Sequence, residues 1–176
     1  MHKSWLFVLM LMLVGCDGSS EHVEIEDKEA FRKSLVEKAL NDETRRAGNA
    51  YVEQYSQRPD VTMTNSGLFY RIIKEGSGRQ PELDDIVEVV YEGRLVSGDL
   101  FDATDTDTTA KFPLNQVIKG WREGLNNMSE GARWELVIPP ELAYGARSPT
   151  PSIPPNSTLI FDVTLISIVE PGSEEQ

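Results

Sequence analysis

Histidine and cysteine are almost absent from this 176-residue chain, and their scarcity excludes several kinds of enzyme. The two histidines, His2 and His22, both stand near the N-terminus, and Cys16 is the single cysteine. A domain folded from the rest of the chain therefore has no Ser-His or Cys-His nucleophile pair. It also has no Cys/His cluster for zinc and no internal disulfide.

Nucleotide-binding glycine motifs and an excess of basic residues are missing as well. No Walker-type or dinucleotide-binding pattern occurs. The chain has 29 Asp and Glu against 17 Lys and Arg, a poor match to phosphate backbones, so we expect no nucleic-acid partner. The acidic run 102–107 has Asp107 where an EF-hand loop needs glycine, which favours a solvated loop. We expect neither a metal ion nor a cofactor.

Long hydrophobic runs are scarce, and the one at residues 5–14 follows the basic Lys3. Its length is too short to span a bilayer and is typical of a signal-peptide core. The sequence Leu13-Val14-Gly15-Cys16 resembles the bacterial lipobox, whose cysteine is acylated after cleavage. We therefore predict a lipoprotein signal peptide at 1–15 and a lipidated flexible tether at 16–23, with Cys16 as the lipidation site. The alternative is an ordinary signal peptide with an incidental cysteine.

This N-terminus predicts a location in the cell envelope. Each buried methylene contributes ~0.8 kcal/mol, so several acyl chains on Cys16 would hold the protein stably on a lipid bilayer. We expect a lipid-anchored membrane protein that faces the periplasm. Asp17 resembles the inner-membrane retention signal of some Gram-negative lipoproteins, which slightly favours the inner over the outer membrane.

Residues 24–58 have the composition of a helical extension, rich in charge and free of proline. Phe31, Leu35 and Ala39 recur at spacings of four, and the pair Arg58-Pro59 ends the pattern. So narrow an apolar stripe predicts either a helix that lies on its own domain or a homodimer contact through the N-terminal helix. The pattern favours neither alternative.

Beyond Pro59 the hydrophobic period changes to two, which predicts strands. The apolar positions are Val87, Val89 and Tyr91, then Trp134, Leu136 and Ile138, then Leu159, Phe161, Val163 and Leu165. The one convincing helix of this half starts near Trp121, with Leu125 and Met128 on the same face. We predict an α+β fold, an antiparallel β-sheet wrapped around a short α-helix, with an acidic tail at 170–176.

Five segments follow one another in an order that is typical of one family. They are VVYEGRL (89–95), LFDAT (100–104), FPLNQVIKGWREGL (112–125), IPPELAYGAR (138–147) and IPPNSTLIFDVTLISI (153–168). Over residues 66–169 the chain resembles the FKBP-type peptidyl-prolyl cis-trans isomerases. NSGLFYRIIKEGSG (65–78) is similar to the lead-in of bacterial members with N-terminal helical extensions. The resemblance implies an FKBP-like fold with an isomerase domain at 66–169.

The resemblance also implies a proline pocket with Trp121 as its floor. The implied substrate-binding residues are Phe101, Val117, Trp121, Ile153 and Phe161. The implied catalytic residues are Tyr91, Asp102, Ile118 and Tyr144. By the same resemblance, the Ile118 N–H and the Tyr144 hydroxyl hold substrate carbonyls, and Asp102 sets a polar edge near the Tyr91 hydroxyl.

Two positions depart from the family's pattern. Ala110 stands where many relatives carry a bulkier apolar wall residue, which predicts a wider pocket on that side. The Ser-Pro-Thr-Pro-Ser loop at 148–152 replaces a more usual glycine-rich sequence. Because of both departures, substrate preference and affinity for macrolides do not follow from the family's pattern.

The resemblance implies an enzyme that accelerates the folding of exported proteins at the cell envelope. Uncatalysed X–Pro isomerisation takes tens to hundreds of seconds. An apolar pocket that binds the twisted imide better than either planar form would speed it without covalent chemistry. The implied partners are proline-containing unfolded or nascent exported polypeptides, together with macrolide inhibitors. The alternative is a membrane-tethered holdase chaperone or interaction module that uses the same fold.

Overall fold

The structure, a computed structural model, describes residues 19–169, with side chains described at 28–38 and 43–169. The predicted signal peptide at 1–15, the predicted lipidation site Cys16 and the acidic tail at 170–176 lie outside the described residues. No helix within 19–169 has both the length and the apolar character that a bilayer span requires.

The N-terminal helix α1 spans Ser19–Ser56. It begins five residues before the predicted start at Glu24, and so includes residues 19–23, which the sequence assigned to the tether. Small polar residues oppose a helix only weakly, so a long helix that follows them can extend over them. The helix ends just before Arg58-Pro59, where the backbone before a proline avoids helical geometry.

The chain divides into two compact units, Met1–Glu37 and Lys38–Gln176. This division falls inside α1, within the predicted helical extension. In the first unit the described apolar side chains of Phe31, Leu35 and Val36 are exposed. In the second unit the helix continues as far as Ser56, and the Tyr55 side chain near its end is buried.

The second unit contains seven strands and one short helix. The strands are β1 (Thr62–Met63), β2 (Phe69–Lys74), β3 (Ile86–Leu95), β4 (Leu100–Ala103), β5 (Ala110–Pro113), β6 (Arg133–Ile138) and β7 (Leu159–Val169). They form one antiparallel sheet in the order β1-β2-β6-β7-β3-β4, with β5 paired to the first half of β3. The helix α2 spans Lys119–Asn126.

The main core lies between α2 and one face of the sheet. Its members alternate along the strands as predicted, and among them Val87, Val89, Leu136, Val163 and Leu165 are fully buried. Leu125 of α2 is fully buried as well. The predicted fold class, an antiparallel sheet around a short helix after an N-terminal helix, is confirmed.

Two glycines let α2 approach the sheet closely. A Cβ on Gly120 would collide with the Ile138 side chain, and a Cβ on Gly124 would lie 2.8 Å from Leu136 Cδ1. Because both glycines face β6, α2 lies close to the sheet, and so does Trp121 between them. The helix ends at Asn126, so Met128 lies beyond it, although Met128 is still fully buried.

A second, smaller core lies on the opposite face of the sheet. Tyr55 of α1 packs against Phe69 and Val137, with Tyr51 and Ile160 at the edge of the cluster. Strand alternation places these sheet residues on the face turned away from α2. The last turns of α1 are therefore packed on the outer face of the sheet.

Candidate active site

Trp121 lies at the centre of a group of aromatic rings. Its ring centroid is 5.1 Å from that of Tyr91, 5.1 Å from that of Phe161 and 5.7 Å from that of Phe112. All three contacts are edge-to-face, the arrangement that aromatic quadrupoles favour. The tryptophan is only 5% exposed, so these contacts fix its plane at the floor of a cleft.

Strand β3 supplies a glycine where two further rings meet. A Cβ on Gly93 would lie 2.7 Å from Phe101 Cζ and 2.8 Å from Phe161 Cε1. The glycine therefore allows Phe101 to pack edge-on against Phe161, at 5.4 Å between centroids. Phe101 thus supports the wall that Phe161 forms.

The chain that leads into α2 forms one edge of the cleft. Ile118 occupies the N-cap position with extended backbone angles, and its carbonyl accepts from the Arg122 N–H at 3.0 Å. Within residues 19–169, the Ile118 N–H has no acceptor. Arg122 also donates to the carbonyl of Asn115 at 2.7 Å, which fixes the preceding turn. The start of α2 therefore fixes this edge, where the Ile118 N–H can donate a hydrogen bond to a ligand.

The opposite edge is polar. The Tyr91 hydroxyl donates to Asp102 Oδ2 at 2.7 Å, joining neighbouring strands β3 and β4. Burial of the phenol, and then its hydrogen bond to Asp102, raise the pKa of Tyr91 well above its ordinary value. Tyr91 therefore stays a neutral donor at physiological pH, beside a carboxylate that faces solvent.

Tyr144 stands at the mouth of the cleft, 39% exposed. Burial, and then the charge of Asp102, raise the pKa of its phenol above the ordinary value. Its hydroxyl has no hydrogen-bond partner in the part of the chain that the structure describes. A neutral, unengaged hydroxyl can bind a carbonyl oxygen of a bound peptide.

These side chains enclose a cleft of about 260 Å³. Of the nine site residues predicted from the sequence, seven line it: Tyr91, Asp102, Val117, Ile118, Trp121, Tyr144 and Phe161. Phe101 and Ile153 are not among the lining residues: Phe101 packs edge-on against Phe161, and Ile153 is buried in the main core. The roles of all nine stay predictions.

Two lining residues, Phe112 and Gln116, were missed by the sequence reasoning. Phe112 follows Ala110 by two positions on β5, so the period of a strand places both on one side. That period was the signal that could have found it. Gln116 is a polar residue of the 3-10 helix Leu114–Gln116, and nothing in its type marks it as a site residue.

A larger groove, of about 640 Å³, lies along β3 and the acidic loop at 103–109. Its lining is rich in threonine and charged side chains, among them Glu92, Arg133 and Asp162. Arg133 and Asp162 already pair with each other at 2.7 Å. The groove lacks a cluster of aromatic rings, so the smaller cleft is the better candidate for an active site.

The cleft defines a class of site. It has a rigid aromatic floor, walls of apolar side chains and a rim of neutral hydroxyl and N–H donors. Its lining contains neither a thiol nor an imidazole. The size and lining of such a site suit a small apolar ring.

Comparison with known proteins gives the family. Residues 77–166, just over half of the chain, match the model for FKBP-type peptidyl-prolyl cis-trans isomerase, and residues 18–72 match the domain amino-terminal to that isomerase. The chain belongs to the FKBP-type peptidyl-prolyl cis-trans isomerase family.

Three relatives illustrate the similarity. The chain is 46% identical to the FKBP-type 22 kDa peptidyl-prolyl cis-trans isomerase of Escherichia coli, over 69% of this chain and 60% of the relative. It is 44% identical to the peptidyl-prolyl cis-trans isomerase Mip of Coxiella burnetii, over 68% of this chain and 52% of the relative. The crystal structure of FkpA from Escherichia coli superposes with a TM-score of 0.79 at 36% identity, covering 88% of this chain and 74% of that one. The chain spans between about half and 60% of the length of these two curated relatives.

Proposed function

We propose that this protein catalyses cis–trans isomerisation of X–Pro bonds in polypeptides. The observation that carries the proposal is the floor of the cleft, where three rings hold Trp121 edge-on beneath an opening of about 260 Å³. A flat, rigid aromatic surface of this kind suits the ring of a proline. Family membership and the enzymatic names of the relatives support the same activity.

The proposed mechanism is preferential binding of the twisted imide. The barrier of ~18–20 kcal/mol comes from the partial double bond of the planar peptide group. The planar form is also the more polar one, because resonance places charge on its oxygen and nitrogen. An apolar cleft solvates that form less well than water does, so it favours the twisted form relative to both planar isomers.

Each polar group at the rim has a proposed role in this mechanism. The Ile118 N–H and the Tyr144 hydroxyl bind substrate carbonyls on either side of the proline, since both donors lack partners among the described residues. Asp102 forms the polar edge beside the rotating bond, with the Tyr91 hydroxyl held against it at 2.7 Å. Trp121, Val117 and Phe161 bind the proline ring.

The proposed substrates are unfolded or nascent exported polypeptides that contain proline. An open cleft with an exposed rim accepts an extended chain, and the names of relatives such as FkpA belong to the same enzyme class. Macrolides are a second proposed class of ligand for the cleft. Ala110 is half-buried on β5, two positions before Phe112. Its small side chain should leave room for a wider ligand on that side.

We propose that acylated Cys16 anchors the chain in the cell envelope, facing the periplasm. The support is the sequence Leu13-Val14-Gly15-Cys16 after a short apolar run, together with a relative named as an outer membrane protein in Legionella longbeachae. Asp17 still favours the inner membrane on sequence grounds. Metabolic labelling with palmitate in cells tests the anchor, since Cys16→Ser should abolish the label.

We also propose that the first unit contacts a second copy of the chain. Its exposed Phe31, Leu35 and Val36 form an apolar surface on α1. Binding of an unfolded client there, as in a holdase, is the competing proposal. Sedimentation equilibrium of the full chain separates the two, because a dimer forms without any client.

The decisive experiment is an isomerisation assay on a tetrapeptide containing X–Pro. No folding chain is present in such an assay, so a holdase gives no acceleration. We expect the full chain to accelerate isomerisation in proportion to its concentration, and Trp121→Ala to reduce that rate. A folded wild-type protein without any effect on the tetrapeptide would leave the interaction-module alternative.

A further inference from the structure

Arg45 of α1 links the helix to two distant parts of the chain at once. Its Nη1 donates to Glu141 Oε1 at 2.7 Å, and its Nη2 donates to Asn156 Oδ1 at 3.1 Å. Arg45, Glu141 and Asn156 all belong to the second compact unit, Lys38–Gln176. A planar guanidinium that binds two acceptors fixes their relative position, which a single point charge cannot do.

The two acceptors bracket the segment that carries Tyr144. Glu141 lies in the 3-10 helix Pro140–Leu142, three residues before Tyr144. At the other end, the Asn156 N–H donates to the Gly145 carbonyl at 2.7 Å, which closes residues 145–156 into a loop. We call residues 141–156 the rim segment. Arg45 thus binds both ends of the segment that carries Tyr144 at the mouth of the cleft.

The rim segment belongs to no regular element over most of its length. Between Ala143 and Thr158 the chain has no strand or helix, and its internal bonds include Ile153 N–H to the Thr150 carbonyl at 3.1 Å. Asn156 has a φ of 59°, a left-handed conformation that asparagine tolerates in turns. The bond from Arg45 fixes the side chain of this turn residue.

A close contact one helical turn further on supports the same arrangement. Gly48 lies against Thr158, and a Cβ at position 48 would collide with the Thr158 Oγ1. The helix therefore touches the chain immediately after the rim segment. In addition, the hydrogen bond from Arg45 lowers the pKa of Glu141 below its ordinary value.

We propose that Arg45 is a positioning residue that holds the rim segment, and through it Tyr144, at the mouth of the cleft. This inference rests on the proposed isomerase function. Arg45 contacts neither Trp121 nor Phe161, so the surface that favours the twisted imide is unchanged without it. Loss of Arg45 should therefore weaken the binding of planar and twisted substrate alike, which raises KM and leaves kcat unchanged.

The test is a double-mutant cycle in the full chain. KM and kcat for an X–Pro tetrapeptide are measured for wild type, Arg45→Ala, Glu141→Ala and the double variant. We expect Arg45→Ala to raise KM roughly threefold, within the range that an exposed ion pair contributes. Glu141→Ala should raise KM less, because Arg45 keeps its bond to Asn156, and the double variant should raise KM no further than Arg45→Ala does. Arg45→Lys should fall between wild type and Arg45→Ala, because an ammonium can bind Glu141 but cannot bridge to Asn156.

Arg46→Ala is the matched control. Arg46 is the exposed neighbour of Arg45 on α1, and its substitution removes the same charge, whereas the bonds to Glu141 and Asn156 come from Arg45. Hydrogen–deuterium exchange of peptides covering 143–157 gives a readout without substrate. We expect faster exchange in Arg45→Ala and unchanged exchange in Arg46→Ala.

The two possible failures are distinguishable. Unchanged KM and unchanged exchange in Arg45→Ala, with wild type active, would overturn the positioning role and leave the isomerase function intact. Equal KM effects of Arg45→Ala and Arg46→Ala would also overturn it, since the cause would then be net charge. If wild type itself fails to act on the tetrapeptide, the proposed isomerase function is wrong. The predicted effect of Arg45 on KM is then wrong as well.

Discussion

The Tyr91 hydroxyl donates a hydrogen bond of 2.7 Å to Oδ2 of Asp102, and this pair forms the polar edge of an otherwise aromatic cleft. Asp102 is exposed on the short strand β4, whereas the Tyr91 ring is wedged against Trp121. The bond thus orients a solvent-facing carboxylate by attaching it to a rigid core residue. Removing the Asp102 carboxylate should therefore affect the cleft more than the fold.

We expect Asp102→Val to lower kcat/KM on an X–Pro tetrapeptide by about tenfold or more, which corresponds to ~1.4 kcal/mol of transition-state stabilisation lost beside the rotating imide. Its free energy of unfolding should change by less than about 0.5 kcal/mol, as for other exposed positions. Asp102→Asn keeps an acceptor for the Tyr91 hydroxyl and separates geometry from charge. Wild-type activity in Asp102→Val would remove Asp102 from the site.

Phe161→Ala should lower stability and activity together. Phe161 is 5% exposed and contacts both Trp121 and Phe101, so its truncation should cost about 3–5 kcal/mol in urea unfolding. The floor also loses one of its supporting rings, so kcat/KM falls even in the folded fraction. Phe31→Ala is the control, because Phe31 is 66% exposed and should change stability by no more than about 0.5 kcal/mol. A stable and fully active Phe161→Ala protein would contradict the assignment.

Much of the fold could be predicted because alternation along a strand depends on local sequence. Val87 and Val89 on β3, like Val163 and Leu165 on β7, are fully buried at the period of two that any half-buried strand shows. The prediction of the seven residues that line the cleft, in contrast, rested on ordered motifs. Their roles could be assigned only through the family resemblance.

The contacts that the sequence did not disclose are long-range ones. The bond from Arg45 to Glu141 joins positions 96 apart in the sequence. No pattern in the sequence around either residue indicates that the two are partners. The packing of Tyr55 on the sheet likewise depends on which face α1 covers. Phe101 and Ile153 fall outside the lining because the side chains that reach the cleft are determined by the packing of the folded chain, which the motifs alone do not specify.

The contact between Tyr55 and the sheet predicts a graded loss of stability. Tyr55 is 3% exposed, and its hydroxyl donates to Glu135 Oε1 at 2.8 Å. Tyr55→Phe should cost about 1.5–3 kcal/mol for a bond to a charged acceptor, and Tyr55→Ala should cost more, roughly 3–5 kcal/mol. Urea unfolding measures both. Tyr55→Ala as stable as wild type would mean that the helix end contributes nothing to the second unit.

The ionisation of Asp85 should make the stability of the fold decrease in acid. It is buried and accepts from Arg79 at 2.7 Å and from the Glu82 N–H at 2.7 Å. The hydrogen bond from Arg79, supported by the one from Glu82, lowers the pKa of Asp85 below its ordinary value of 3.8. Because the folded pKa is the lower one, this stabilisation is complete above about pH 4 and disappears as pH falls through the folded pKa.

Asp85→Asn should therefore reduce the urea midpoint at pH 7, and the difference from wild type should shrink as the pH falls below 3.8 towards the lower folded pKa, where the carboxylate of the wild type becomes protonated. Asp84→Asn is the control, since Asp84 is the exposed neighbour on the same turn. It should leave the midpoint nearly unchanged over the same range of pH. A difference between Asp85→Asn and wild type that stays constant with pH would show that ionisation of Asp85 is not what stabilises the fold.

The last prediction concerns the pH dependence of catalysis. From residue 23 onward the chain contains neither histidine nor cysteine, the side chains that ordinarily titrate between about pH 6 and 9. Burial raises the pKa of both Tyr91 and Tyr144 above the ordinary value of 10.0, so both phenols keep their protons throughout that range. General acid–base catalysis would require a group that changes protonation there.

Rotation about a C–N bond needs no proton transfer, so kcat/KM on an X–Pro tetrapeptide should be nearly flat from about pH 6 to 9, by the reference pKa values of the side chains present. For the same reason the rate in D₂O should equal the rate in H₂O within error. Circular dichroism at each pH shows whether the protein stays folded, which separates a titrating group from unfolding. A bell-shaped profile centred near neutrality in the folded protein, or a solvent isotope effect of about twofold or more of the kind that proton transfer produces, would mean that a proton moves in the rate-limiting step. The non-covalent mechanism would then be wrong, and the Tyr91–Asp102 pair would be the first place to look for the proton.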